Sequence, residues 1–318
     1  CLYESEKANE PYPALIFYFQ KLTIVMWRNG PVELLMENID HQSTKPKIEW
    51  SVKLKPFVVP LIPALTNCQD YFGKLGEVRG HYLCFIHCTR VQLNPGISWI
   101  KKPVYHLSVI DLTNYTDFPS SPPVPLYTIS DIRDFSIAPG SKPRIYCILR
   151  TETEDILELR YGGYTKRVAF SQWFFMPLAV AVSHKHVLVG GACSKTYRHK
   201  YLLYDRKMRQ IPEPGGVLQM YIRTDDDELG GINLRTVHSV RLRNLEIFIS
   251  VNSLNGISII SANRNQLCDL CTDQIDQFKW KKDINGIYLT TGSSQYRSRV
   301  SFIVYGKAIF NKVTLNLA

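Results

Sequence analysis

The apolar positions of this chain fall in short bursts separated by Gly, Pro, Asn, Asp and Ser. Examples are Leu15–Tyr18, Leu22–Trp27, Tyr82–Cys88, Arg144–Leu149, Leu178–Val182, Val187–Gly191, Tyr201–Tyr204, Glu246–Val251 and Val300–Tyr305. No long segment repeats its apolar residues at the period of a helix, so the pattern predicts strands nearly throughout. Many bursts are apolar at successive positions, which puts hydrophobic side chains on both faces. Such strands are buried between packed sheets, not open to water on one side. Asn255-Gly256, between two bursts, reads as a two-residue hairpin turn, because Asn and Gly accept the positive φ needed there.

The bursts also group. Ile132–Tyr161, Pro177–Ile211, Thr236–Cys271 and Ile284–Leu315 each read as an apolar strand, a turn, a second apolar strand and a third that ends in polar residues. Their starts lie 45, 59 and 48 residues apart. A propeller blade of four antiparallel strands takes about 40–50 residues. Phe57–Leu112 fits as an earlier, longer unit. The rhythm predicts an all-β chain, one domain over residues 1–318, folded as a β-propeller of about six or seven four-stranded blades. The alternative is a pair of β-sandwiches, with a period nearer ten residues per strand. In a propeller the N-terminal strand, Ala14–Tyr18 or Leu22–Trp27, is expected to complete a blade begun by the last strands. Glu37–Lys47 and Thr224–Gly231 read as solvated loops, and the Pro-rich Phe118–Leu126 as a stiff connector.

Within this rhythm, Gly80-His81 is followed by Val109-Ile110-Asp111-Leu112, and Leu203-Tyr204-Asp205-Arg206 ends a later group. In these places the chain resembles the WD-repeat family. The resemblance implies that the Gly-His and Asp-bearing ends cap the hydrogen bonding of each blade, and that the protein scaffolds an assembly. None of the five Trp residues precedes an Asp.

Composition narrows the class. With 45% hydrophobic and 21% charged residues the chain is an ordinary globule. Its eight cysteines are too sparse for a disulfide-stapled domain of this length, and Cys84, Cys147 and Cys193 sit in apolar bursts, so a reducing, intracellular compartment is expected. The early apolar run Ala14–Phe19 is far shorter than the ~20 residues that span a bilayer, and no membrane partner is expected. The net charge is +10, with 16 bases and 13 acids in residues 1–150 and 22 against 15 in the remainder. A basic excess of this kind favours a polyanionic partner, and the nucleus over the cytoplasm.

Catalytic signatures are missing. No Gly-x-Ser-x-Gly elbow, phosphate-binding glycine loop or His-Glu-x-x-His motif is present. Cys268-x-x-Cys271 and Cys84-x-x-His87-Cys88 have metal-like spacing, yet they read as thiols of two strands. His184-Lys185-His186 lies between Val182 and Val187, where a hairpin turn is expected. No metal and no cofactor is predicted.

Lys195–Arg209, reading K-T-Y-R-H-K-Y-L-L-Y-D-R-K-M-R, is the most suggestive stretch. Lys195, Arg198, Lys200, Arg206, Lys207 and Arg209 face one acid, Asp205, with tyrosines interleaved. Cations neutralise phosphates and rings stack on bases, so this composition suits nucleic acid or an acidic partner. Lys281 and Lys282, beside Trp280, form a smaller cluster. The bland reading is an outer strand with its solvated turns. The sequence thus predicts a non-catalytic interaction scaffold, a subunit of a nuclear assembly acting on DNA, RNA or chromatin. Its expected partners are other protein subunits, with nucleic acid as a further one. The alternative is a module that binds nucleic acid directly through the basic stretch, and a propeller enzyme ranks third.

Overall fold

The computed structural model describes residues 12–19, 22–28, 32–35, 60–62, 74, 76–92, 101–111, 125–128, 132–138, 140–171, 174–193, 199–220, 234–242, 245–252, 257–269, 284–290, 299–306 and 309–316. Side chains are described chiefly within 74–86, 105–109 and 132–268. Every regular element among these residues is a strand.

Each sheet is an antiparallel meander of strands consecutive in the chain. The first holds β1 (Tyr12–Phe19), β2 (Leu22–Arg28), β3 (Val32–Leu35) and β4 (Pro60–Ile62), and the second β5 (Gly76–Arg79), β6 (Tyr82–Gln92), β7 (Lys101–Asp111) and β8 (Pro125–Thr128). The third holds β9 (Ile132–Ala138), β10 (Arg144–Arg150), β11 (Asp155–Tyr161) and β12 (Tyr164–Phe170). The fourth holds β13 (Met176–Val182), β14 (His186–Ala192), β15 (His199–Asp205) and β16 (Val217–Met220). The fifth holds β17 (Leu234–Leu242), β18 (Leu245–Asn252), β19 (Ile257–Asn263) and β20 (Gln266–Asp269), and the last only β21 (Ile284–Thr290), β22 (Arg299–Gly306) and β23 (Ile309–Asn316).

The chain divides into two compact units. Unit 1 holds residues 1–71, 75–130 and 282–318, and unit 2 holds 72–74 and 131–281. In unit 1, β1 lies against β5 and β21. In unit 2, β13 lies against both β9 and β17. First strands together and last strands outermost is the arrangement of propeller blades, and the fold is an all-β propeller. It is not a pair of sandwiches.

Three expectations are corrected. The described strands form five sheets of four strands and one of three, not six or seven four-stranded blades. An even four-strand period does not hold along the chain, because the first sheet alone stretches from Tyr12 to Ile62 and the last has three strands among the described residues. Phe57–Leu112 is not one unit: β4 belongs to the first sheet and β5–β7 to the second. Finally, β1 and β2 pair with each other and continue into β3 and β4, so the N-terminal strands do not complete the last sheet. Leu22–Arg28 is a contiguous hairpin partner for Tyr12–Phe19, and closing a short loop costs less entropy than recruiting a strand from the far end of the chain.

The core of unit 2 shows why its strands are apolar at successive positions. Val180 and Val182 of β13, Val187 and Val189 of β14, and Leu202 and Tyr204 of β15 pack towards the third sheet with Tyr146, Ile148, Leu157 and Phe170. The intervening Ala179, Ala181, Leu188, Tyr201 and Leu203 pack towards the fifth sheet with Val237, Phe248 and Ile260. The period of two sends alternate side chains to opposite neighbours. Space is tight on one line: a Cβ on Gly191 would lie 2.1 Å from the Met176 carbonyl oxygen, and one on Gly190 2.5 Å from Leu234 Cδ2.

Polar side chains tie the first strands together where backbone ladders do not. Asp134 on β9 accepts from Val180 N at 2.8 Å, Ser136 Oγ accepts from Val182 N at 3.0 Å, and Ser239 Oγ on β17 donates to Val182 O at 2.6 Å. Buried Lys74 donates its Nζ to Phe135 O and Val180 O, both at 3.2 Å, while its amide donates to Asp134 Oδ1. Burial pushes the Asp134 carboxyl up to about 6, against the opposing pull of the Lys74 charge.

Candidate functional site

Because β9, β13 and β17 run in the same direction, unit 2 has two distinct ends. The pairs Asp134–Val180 and Ser136–Val182 require this for the first two, and Ser239–Val182 with Leu234 beside Gly190, the partner of Ala179, for the third. The turns that follow β9, β11, β13, β15, β17 and β19 all lie at one of them, here the turn end. The connections after β10, β12, β14, β16 and β18 lie at the other.

The basic stretch Lys195–Arg209 is split by this geometry. Lys195 and Arg198 lie outside the described residues, in the connection between β14 and β15. Lys200 is half-buried near the start of β15, and Arg206, Lys207 and Arg209 follow its far end. Six residues of strand separate Lys200 from Arg206, about 20 Å at ~3.3 Å per residue. The intervening Tyr201, Leu202, Leu203 and Tyr204 are core, and burial pushes the Tyr204 hydroxyl up to about 12. The stretch is therefore not one patch. Lys281 and Lys282 also lie outside the described residues.

The residues at the turn end differ in what they do. Arg206 is half-buried, and its Nη1 donates to His184 O at 2.9 Å and Ser183 O at 3.5 Å, so the guanidinium clamps the β13–β14 turn. Tyr146 Oη donates to Arg206 O at 2.7 Å. Arg209 pairs with Asp205 at 2.6 Å. Asp205 also accepts from the Lys207 and Arg209 amides, each at 2.9 Å. Burial opposes its charge, but these bonds outweigh burial and hold its carboxyl below the usual range. Lys207 is exposed, and its side chain meets no partner among the described residues.

Sequence reasoning missed a cluster beside this turn. Glu246, the second residue of β18, is buried and accepts from Ser183 Oγ at 2.7 Å and from Lys185 N at 2.5 Å. Its other oxygen meets His186 Nδ1, and His186 Nε2 meets Asn265 Oδ1 at 2.8 Å. Burial works against both charges, yet the mutual hydrogen bonding raises the His186 pKa and lowers that of Glu246. The cluster joins the fourth sheet to the fifth. The three residue types of a hydrolytic triad are present, but in the wrong order. In a nucleophilic relay serine bonds the imidazole and the imidazole bonds the acid. Here Ser183 and His186 both bond the carboxylate, and Asn265 occupies the second ring nitrogen. The arrangement latches two blades and activates no hydroxyl.

The latch also sets the local charge. Glu246 and Asp205 are spent on internal bonds, leaving Glu213 as the exposed carboxylate of the β15–β16 turn. Lys142, Lys185, Lys207 and Arg264 are exposed around the same end, and none of these side chains meets a partner among the described residues. Arg144 stacks over the Tyr161 ring at 4.5 Å, and Tyr164, just past the Gly162-Gly163 turn, is 55% exposed. No group of His, Cys, Asp and Glu with metal-site geometry occurs among the described residues. Cys84 is buried and Cys268 half-buried, neither in a disulfide, while Cys271 lies outside the described residues.

No protein-family model and no curated protein matches this chain. Solved structures do resemble it. Hydrazine synthase of Kuenenia stuttgartiensis aligns with a TM-score of 0.51 at 11% identity, over 95% of this chain and 78% of that one. A Saccharomyces cerevisiae assembly of a dbp5 variant bound to nup159, a gle1 variant, IP6 and ADP aligns at 0.49 and 11%, over 94% and 74%. The Bombyx mori GH32 beta-fructofuranosidase aligns at 0.41 and 9%, over 98% and 79%. At such identities the likeness speaks to the fold alone, and only the first of the three has a TM-score above 0.5.

Proposed function

We propose that this chain is a non-catalytic interaction scaffold, a subunit of a larger nuclear assembly working on DNA, RNA or chromatin, and that it docks an anionic partner through the turn end of unit 2. The observation that carries the reading is the imbalance at that end. Lys185, Lys207 and Arg264 come from three separate turns and keep their charges for solvent, while Asp205 and Glu246 are consumed by the fold. Interfaces steered by one sign of charge gain association rate and specificity from such an arrangement. The non-catalytic part rests on Ser183 and His186, which bond a shared carboxylate, the Ser183 hydroxyl meeting the His186 backbone and not its ring.

The WD-type reading finds support in Asp111 and Asp205, each closing the third strand of its sheet. Gly80-His81 fits it less well. These residues form the β5–β6 hairpin turn, where Gly80 takes φ +60°.

The test is a selective charge reversal. The tagged chain is used to recover its assembly, and Lys185→Glu, Lys207→Glu and Arg264→Glu together are compared with Lys45→Glu, Lys47→Glu and Lys53→Glu. The reading expects the partner to be lost with the first set and kept with the second. Equal loss with both, or with neither, would refute it.

A further inference from the structure

We infer that the turn end of unit 2 is a track for single-stranded nucleic acid, on which Tyr164 stacks a base and Lys207, Lys185 and Arg264 hold successive phosphates. The inference rests on the proposed scaffold surface and names what that surface takes.

The track is built from contacts that fix the order of its parts. On β12, Tyr164, Lys166, Val168 and Phe170 share a face, since alternate strand residues point the same way. Phe170 and Val168 pack against the core beside Tyr204, and Lys166 Nζ donates to Lys207 O at 2.6 Å. Tyr164, one step further out at ~7 Å from Lys166 along the strand, therefore stands beside the Lys207 turn with its ring in solvent. From Lys207 the Arg206 guanidinium leads to His184 and Lys185. From there the latch leads to Asn265 and its neighbour Arg264, which the positive φ of both residues holds at the tip of the β19–β20 turn. Ring, cation, cation, cation thus follow one another across three sheets.

This order suits a single strand better than an acidic protein segment. Tyr164 is an exposed large ring where an edge strand otherwise carries Thr165, Lys166 and Arg167, and a carboxylate-bearing peptide has no use for it. A flat π-face is what every base can stack on, whatever its identity, while cations beside it neutralise the backbone. The second exposed large ring among the described residues, Phe174, lies between β12 and β13 at the opposite end.

Fluorescence anisotropy with labelled oligothymidylate and oligouridylate of about 20 nucleotides tests this, using the whole chain across a salt series. Tyr164→Ala is expected to weaken binding by about 5- to 100-fold, as loss of one stacked base does, and Tyr164→Phe to restore it. Reversing Lys185, Lys207 and Arg264 to Glu should lower the steepness of log Kobs against log salt by about 2, from three lost contacts at ~0.7 each. The reversal at Lys45, Lys47 and Lys53 should leave both strength and slope unchanged. Tight binding of duplex that ignores Tyr164→Ala, or binding of polyglutamate that is lost with the same three cations, would overturn the single-strand assignment. So would failure of either oligonucleotide to bind. If the assembly is still lost selectively with the Lys185, Lys207 and Arg264 reversal, the docking surface survives and only the nucleic-acid assignment falls. If neither is affected, both fall.

Discussion

Replacing Glu246 by Ala should weaken unit 2 more than any change at its surface. The carboxylate holds Ser183 Oγ at 2.7 Å, Lys185 N at 2.5 Å and the His186 ring, and both side chains of the ion pair are only 7% exposed. Removing it leaves the His186 ring with Asn265 alone, takes the acceptor from the Lys185 amide, and leaves the buried Ser183 hydroxyl only the His186 carbonyl at 3.1 Å. Breaking a buried pair from one side costs about 3–5 kcal/mol, of which each orphaned hydrogen-bonding group supplies ~1–3. At roughly 2–4 °C per kcal/mol for a body of this size, a loss of about 3 kcal/mol lowers the melting temperature by about 6–12 °C. Glu246→Gln keeps the shape and one acceptor and should fall between.

The same pair gives the effect a pH signature. His186 has a raised pKa, so its contribution is complete below the ordinary histidine value and is lost as pH rises through the raised one. Glu246 has a lowered pKa, so its contribution is complete above the ordinary carboxylate value and is lost as pH falls through the lowered one. The gap between wild type and Glu246→Ala should be widest between about pH 4.5 and 6.5 and shrink on either side. Thermal melts followed by circular dichroism at several pH values measure it. A change below about 2 °C throughout, or a gap that does not vary with pH, would refute the latch.

Three other outcomes follow from the packing. Gly191→Ala places a Cβ 2.1 Å from the Met176 carbonyl and 2.8 Å from the Phe175 ring, so denaturant melts should show a loss above about 2 kcal/mol, whereas Gly163→Ala, with nothing within 4 Å, should stay within about 1. Asp134, with its pKa raised to about 6, binds its proton more tightly folded than unfolded, so it takes stability away as pH rises from about 4 to 6. Asp134→Asn should flatten the stability profile over that window, and a slope unchanged from wild type would contradict the burial argument. Arg206→Ala should cost about 1–3 kcal/mol through the lost clamp on His184, while Lys207→Ala should change melting by no more than about 0.5.

What was legible in the sequence was whatever neighbours in the chain decide. The hairpin at Ser183–Lys185 could be read because apolar Val182 and Val187 flank the four polar residues Ser183-His184-Lys185-His186. The sheets that start at Ile132, Met176, Leu234 and Ile284 fall within two residues of the starts expected from the burst pattern. The latch could not be read. His186 and Glu246 are 60 residues apart, as are Lys74 and the Asp134 that its amide meets, and blade packing alone brings each pair together. The layout of Lys195–Arg209 could not be read for a related reason. Its composition is basic throughout, but its middle is a strand whose buried residues set Lys200 and Arg206 at opposite ends of the unit. Arg206 illustrates the remainder: a cation whose setting in the sequence suits an anionic partner is half-buried because the carbonyls of the adjacent turn need a donor.

Lysine footprinting of the chain within its assembly tests the central claim most directly. Acetylation rates read by mass spectrometry, free against assembled, report which amines a partner covers. Docking at the turn end predicts strong protection of Lys185 and Lys207, with Lys200 at the far end of β15 unchanged. Protection of Lys200 while Lys185 and Lys207 stay reactive would contradict it.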